Sequence, residues 1–274
     1  MTFLENYADK LVFLSCAAMI FIPLEHFLPR VRRNGFLREN MLLDATYALV
    51  GSIAVMALSA IYIAIAMAAL GPLVPDQAKA FVDTVPIWLQ VILLILVGDL
   101  YYYWAHRLAH SVPAFWKFHA VHHSIEHMDW LAAHRTHPAD TAITNSGVVI
   151  LALLFDVSAA AFAIYALQFS WHSLLKHSNV RISWGPLRWL YLTPTYHHWH
   201  HANVREAYDK NFAGQLPLWD LLFGTAIMKE SESPERYGVD DPVPRTLLGS
   251  LAYPLSAGKP AEAMISVTAG RLAD

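Results

Sequence analysis

Long apolar runs separated by short polar loops constrain the fold of this chain more than any other feature of its sequence. Residues 11–28, 41–70 and 86–105 are each about as long as a bilayer is thick, since a spanning helix needs about 20 largely apolar residues. Residues 141–171 are apolar again. In an apolar medium every backbone N–H and C=O must be satisfied within its own segment, so such runs are helices. Composition agrees: 56% of the 274 residues are hydrophobic and 15% charged, too apolar for an ordinary soluble domain. The net charge of -3 offers nothing to a nucleic acid. The single Cys16 lies inside an apolar run and excludes a disulfide framework or a cysteine-based zinc or iron–sulfur site within one chain. The expected fold is all-α: an integral membrane bundle of about four spans or hairpin helices under a histidine-rich cap.

Charge sets the expected topology. Arg30, Arg32, Arg33 and Arg38 follow the first run; by the positive-inside rule their loop is cytoplasmic and the N-terminus lies outside. The loop 71–85 carries Asp76, Lys79 and Asp83 but no arginine, which suits the outer side. The third run then re-emerges near His106 on the arginine side. Residues 141–171 allow two routes. A straight span puts His172 and everything after it on the opposite face, whereas a hairpin bent around Asp156-Val157-Ser158 returns to the same face. An ionisable residue at mid-depth is costly unless it finds neighbours or water, so the hairpin is expected. Three regions result: membrane helices over 1–94, a histidine-bearing domain over 95–228, and a C-terminal tail over 229–274. The tail opens on the charged stretch KESESPERYGVDDPVPR.

Histidine usage is the second anomaly. Fourteen of the fifteen histidines lie between His106 and His201. His106 and His110 are four apart. His119, His122 and His123 repeat the spacing of His197, His200 and His201. Residues at i, i+3 and i+4 share one helix face, so each set can point at one ion or straddle two. Eight or more imidazoles exceed what one first-row ion takes, which implies two metals. The zincin pattern is absent, because Arg107 follows His106 where a catalytic glutamate would stand. The Glu-x-x-His pattern of carboxylate di-iron bundles is absent too. Imidazole suits Zn, Cu, Fe and Ni, so spacing alone gives a histidine-rich dinuclear site without naming the metal.

Several motifs occur in order: D-x-x-Y-Y-x-x-H-R-x-x-H (Asp99 to His110), F-H-x-x-H-H-S (Phe118 to Ser124), R-x-H-P (Arg135 to Pro138), H-S-N-V-R (His177 to Arg181), H-x-x-H-H (His197 to His201) and N-F-x-G-x-L-P-L-W-D-x-L-F-G-T (Asn211 to Thr225). Together they resemble the fatty acid hydroxylase/sterol desaturase superfamily over about residues 95–228. The resemblance implies a membrane enzyme with two iron ions that uses O2 and two electrons to hydroxylate or desaturate an aliphatic C–H bond of a lipid. It implies His106, His110, His119, His122, His123, His172, His177, His197, His200 and His201 as metal ligands. His172 and His177 are five apart, so sharing a site requires a bend. Asp99, on the ligand face of its helix, is expected to accept a hydrogen bond from a ring N–H. The chain has no dinucleotide fingerprint or redox module, so a separate reductase, ferredoxin or cytochrome is the expected partner.

A reading from another class is a membrane haem-binding or electron-transfer protein. Haem takes one or two axial histidines and has no use for His-His doublets. A metal transporter would string ionisable residues through the spans, where only Asp99 and Asp156 stand. His127 and His134 read as solvated side chains, His198 as outward-facing, His137 as a supporting residue, and Arg135 as a partner for lipid head groups.

Overall fold

The computed structural model describes residues 3–32, 37–229 and 231–256. Arg33, Glu230 and the tail beyond Ser256 lie outside the described residues. Among the described residues the chain is helical, with two isolated bridges, Pro29 with Val180 and Ala202 with Tyr237. The helices are α1 (Phe3–Phe27), α2 (Met41–Thr46), α3 (Ser52–Leu70), α4 (Asp76–Thr84), α5 (Ile87–Ser111), α6 (Pro113–His123), α7 (Pro138–Leu154), α8 (Ala159–His177), α9 (Pro194–His200), α10 (Pro217–Leu222) and α11 (Leu247–Ala252).

Three stretches are long and apolar enough to cross a membrane: Tyr7–Phe27, Met41–Leu73 and Ile87–Ser111. Their outward faces expose Met19, Ile61, Ile65 and Val97, a surface suited to lipid tails rather than water. The second stretch is not uniform. A π-helical turn, Tyr47–Gly51, separates α2 from α3, and a widened turn of this kind re-aims side chains. Tyr47 is buried there, and its hydroxyl meets Ser250 on α11.

Residues 138–177 form the expected hairpin. Ser158 caps α8 by accepting the Ala161 N–H at 3.2 Å. Its own N–H donates to Gln90 Oε1 at 2.9 Å, which ties the hairpin tip to the first turn of α5. Asp156 sits at this tip, exposed, with φ 54. Asp tolerates the left-handed region better than most residues, and at this tip its side chain is not enclosed by the protein. At the other end α7 lies close on α5. A Cβ on Gly147 would stand 2.1 Å from the Tyr101 ring, so only glycine permits this approach.

The arginine loop packs at the histidine end. Val31 and Asn179 exchange two hydrogen bonds of 2.9 Å each, which holds the loop beside the end of α8. Arg38 and Arg135 converge on the buried Asp44. Arg135 therefore meets a carboxylate of the chain instead of a lipid head group; a charge this deep needs a fixed partner. The segment after Met228 folds back over α6. Trp116 Nε1 and the Tyr253 hydroxyl both donate to Asp241 at 3.2 Å, and Tyr253 packs with Trp116 and Ala120.

Candidate metal centre

Four helix ends meet under the cap. α5 ends with His106 and His110, one turn apart. Val112 is extended and Pro113 restarts the chain as α6, because proline fits the first helical position and lacks the N–H that would be orphaned there. This break turns His119, His122 and His123 back toward α5. The hairpin returns His177 at the end of α8. Thr193 caps α9 by accepting the Tyr196 N–H at 3.1 Å, which sets the phase of His197, His200 and His201.

Nine imidazoles form two groups, all buried. His106, His110, His119, His123 and His200 make one; His122, His177, His197 and His201 make the other. Within each group one nitrogen per ring lies within 4.8 Å of all the others. The two triplets are used reciprocally. α6 sends its i, i+4 pair (His119, His123) to the first group and His122 to the second; the α9 triplet sends His197 and His201 to the second and His200 to the first. The groups adjoin, with the His123 and His201 rings stacked at 4.5 Å between centroids.

Hydrogen bonds behind the rings fix their orientation. His106 Nδ1 donates to the Phe212 carbonyl at 2.7 Å, His122 Nδ1 to the Arg135 carbonyl at 3.0 Å, His177 Nδ1 to the Ser173 carbonyl at 2.7 Å and His200 Nδ1 to the Lys210 carbonyl at 2.8 Å. His119 Nδ1 faces Asp140 Oδ2 at 3.0 Å. A carbonyl can only accept, so the proton of each such neutral ring is on Nδ1 and Nε2 carries a bare lone pair. Yet His106 and His119 bring Nε2 to Nε2 at 2.9 Å, and His122 and His177 do so at 3.2 Å. Two lone pairs at that distance repel unless a cation lies between them. With metal–imidazole bonds of about 2.1 Å, two donors at right angles stand about 3.0 Å apart. His110, enclosed with both ring nitrogens unpartnered, shows the same want of a ligand. The site therefore fits metal ions. Burial pushes His122 down to about 3, and burial likewise holds His123, His197, His200 and His201 well below the usual imidazole range. Neutral rings of this kind are ready to bind metal.

The other predicted residues fall elsewhere. His172 stands outside both groups, with Nε2 on the Leu192 carbonyl at 3.0 Å and its ring against Tyr191. The five-residue offset turns it away from His177, and no bend in α8 corrects this. Asp99 does not face an imidazole. Its oxygens accept the N–H groups of Gly214, Gln215 and Leu216, each at 2.8 Å, and so hold the loop whose Phe212 carbonyl supports His106. His137 caps α7, accepting the Ala139 N–H at 3.1 Å. His198, expected outward, is buried and donates to the Ser178 carbonyl at 3.0 Å; the fold-back of Tyr237 covers it.

Two supporting carboxylates were not singled out from the sequence. Asp140, in the first turn of α7, is the one that meets a ring. Asp220 accepts the N–H groups of Phe212 and Ala213 at 2.8 and 2.9 Å and, with Asp99, clamps the 211–216 loop from both sides. Asp220 stands inside the Asn211–Thr225 motif, legible as a motif position but not as a role; Asp140 lies two residues past R-x-H-P, outside any motif. A cavity of about 20 Å³ touches His110, His123 and His200 from the cap side, room for one water-sized molecule.

These features define an all-α membrane-type protein with two adjoining buried histidine groups whose arrangement fits metal ions. Residues 91–225, just under half of the chain, match the model of the fatty acid hydroxylase family. The chain is similar to the ornithine lipid hydroxylase of Rhizobium tropici, 32% identical over 64% of this chain and 53% of that protein. Human alkylglycerol monooxygenase is 35% identical over 53% of this chain and 32% of that protein. Rat methylsterol monooxygenase 1 is 28% identical over 48% of this chain and 44% of that protein. The chain thus spans about half or less of the length of these relatives. No solved structure matches it.

Proposed function

We propose that this chain is an O2-dependent, non-haem di-iron enzyme that hydroxylates an aliphatic C–H bond of a membrane lipid, with its histidine cap on the cytoplasmic face. The observation that carries the reading is the pair of converging imidazole groups whose Nε2 lone pairs face one another. The five-histidine group and the four-histidine group would each hold one iron. The iron pair, when bound, supplies O2 binding and the oxidising chemistry that no side chain can provide. Overall, C–H, O2, two electrons and two protons give C–OH and water. The relatives' names, hydroxylase and monooxygenase, favour hydroxylation over desaturation.

The chain's own residues keep five of the nine rings, His106, His119, His122, His177 and His200, in one tautomer and orientation. Asp140 and the carbonyls of Phe212, Arg135, Ser173 and Lys210 do this from behind. Such supporting contacts also raise ligand basicity. The buried Trp116, Phe212 and Tyr196 around the groups exclude water, which protects a reactive centre from side reactions. Arg30, Arg32 and Arg38 at the histidine end support the cytoplasmic assignment. The electrons come from a separate protein donor.

The test is the full chain in lipid nanodiscs, loaded with ferrous iron and given O2 and a reductase system. Lipid mass spectrometry should show one lipid class gaining a single oxygen atom, dependent on iron, O2 and reductant together. Product formed without iron or without O2 would refute the reading.

A further inference from the structure

A cavity of 440 Å³ opens between α1, α3 and the α7–α8 hairpin. Its inner wall adjoins the supports of both histidine groups. Ser173, whose carbonyl takes His177 Nδ1, lines it directly. Thr136 and Thr141 line it too, each next in sequence to a residue that holds a ring: Arg135 on His122, Asp140 on His119. Apolar side chains, Phe13, Val55, Phe169 and Leu174 among them, make up much of the rest.

The polar groups in this cavity are under-used. His134 Nε2 and Thr141 Oγ1 are both enclosed and have no hydrogen-bond partner, a state that buried polar atoms rarely tolerate. Lys10 lines the same cavity from α1, partly buried. It lies within a stretch long and apolar enough to span a membrane, and among the described residues it makes no ion pair. Asp9 is exposed at the rim. A cation in such a segment is costly and marks a site by default. Here it sits with two orphaned hydrogen-bonding atoms in a pocket that joins polar side chains to an apolar wall of Phe13, Val55, Phe169 and Leu174. That combination fits an amphiphile whose head carries an anionic oxygen and whose chain runs along the apolar wall.

We propose that this cavity seats the polar head of the lipid substrate through an anionic oxygen, a carboxylate or phosphate, held by the Lys10 ammonium with His134 and Thr141 as further hydrogen-bond partners. The assignment rests on the lipid-oxygenase reading for calling the occupant a substrate.

The test is binding, without turnover, to the iron-loaded full chain in phosphatidylcholine nanodiscs. The probes are N-palmitoylglycine, which carries one carboxylate, and N-palmitoylethanolamine, which has the same chain and amide but no charge. The unaltered chain should prefer the acid about tenfold, the worth of one charge-assisted hydrogen bond. Lys10→Gln should abolish that preference and Lys10→Arg keep it, with iron content unchanged in both. Thr141→Val should weaken the acid alone. Equal binding of the two probes, or a Lys10→Gln chain that still prefers the acid, would overturn the proposal; Lys10 would then be reaching past the cavity to the membrane interface. Preference for the acid in a chain that oxidises no lipid would uphold the cavity and remove the oxygenase reading.

Discussion

Asp99 reaches across 115 residues of sequence to the N–H of Gly214 at 2.8 Å, and the same oxygen takes the N–H of Gln215. A carboxylate at the centre of α5 thus holds in place the loop that supports His106 one step further on. The approach is close: a Cβ on Gly214 would lie 2.8 Å from Asp99 Oδ1 and 2.9 Å from the Tyr102 ring.

Replacing Asp99 with Asn leaves one oxygen for Gly214 and Gln215 but aims an NH2 group at the Leu216 N–H, which then loses its acceptor. The loss should be about 3 kcal/mol of stability, as for buried hydrogen bonds to a charged group. Iron retention should fall in the five-histidine group first. Gly214→Ala should cost about 1–3 kcal/mol through overpacking. Thermal unfolding and iron content of both variants check this; unchanged melting would show that the loop does not depend on the anchor.

Asp140→Ala leaves His119 Nδ1 without its acceptor. Losing a partner of this kind usually costs about 10–100-fold in metal affinity. Competition with a chelator should show that loss with the helix content intact. An affinity equal to the parent's would separate Asp140 from the site.

His177 and His172 lie on the same helix and should behave differently. His177→Ala removes one of four donors from its group, so iron should fall from two per chain toward one. His172→Ala breaks a bond to the Leu192 carbonyl and a ring contact with Tyr191, neither at a metal group, and should keep both irons, at a cost of about 1–2 kcal/mol in stability. Metal analysis of the two variants side by side decides it, and equal iron loss would place His172 among the ligands.

Acid should release the metals and then loosen the cap. The folded chain holds His122 at about 3 and the cap imidazoles His123, His197, His200 and His201 well below the usual range, against about 6.5 when unfolded. Between those values the unfolded chain binds more protons, so stability rises with pH in that window. It is fully present above about pH 6.5 and is lost as pH falls toward 3. A metal-free sample melted at pH 7.5, 6.0 and 5.0 should become progressively less stable. A flat profile would mean that these rings are not buried neutral.

The membrane helices were legible because apolar runs of bilayer length have few alternatives. The hairpin was legible for a geometric reason: His177 can meet His122 only if residues 141–171 return. The ring groups were legible as triplets, but their reciprocal division was not. Which of two adjoining sites a ring at i+3 faces depends on the tertiary angle between α6 and α9, and periodicity does not carry that angle. Asp99 was expected on an imidazole because it shares a face with His106. The strap of backbone N–H groups at 214–216 claims it instead, and nothing local to α5 announces a loop more than a hundred residues away. His198 read as outward because the fold-back of Tyr237 over the cap has no signature in the charged stretch before it.

The most direct measurement of the central claim is metal stoichiometry with Mössbauer spectroscopy on the full chain reconstituted with iron-57. Two irons per chain, spin-coupled as a pair and both with nitrogen-rich ligation, is the predicted result. One iron per chain, two uncoupled irons, or a site that takes zinc and refuses iron would contradict it.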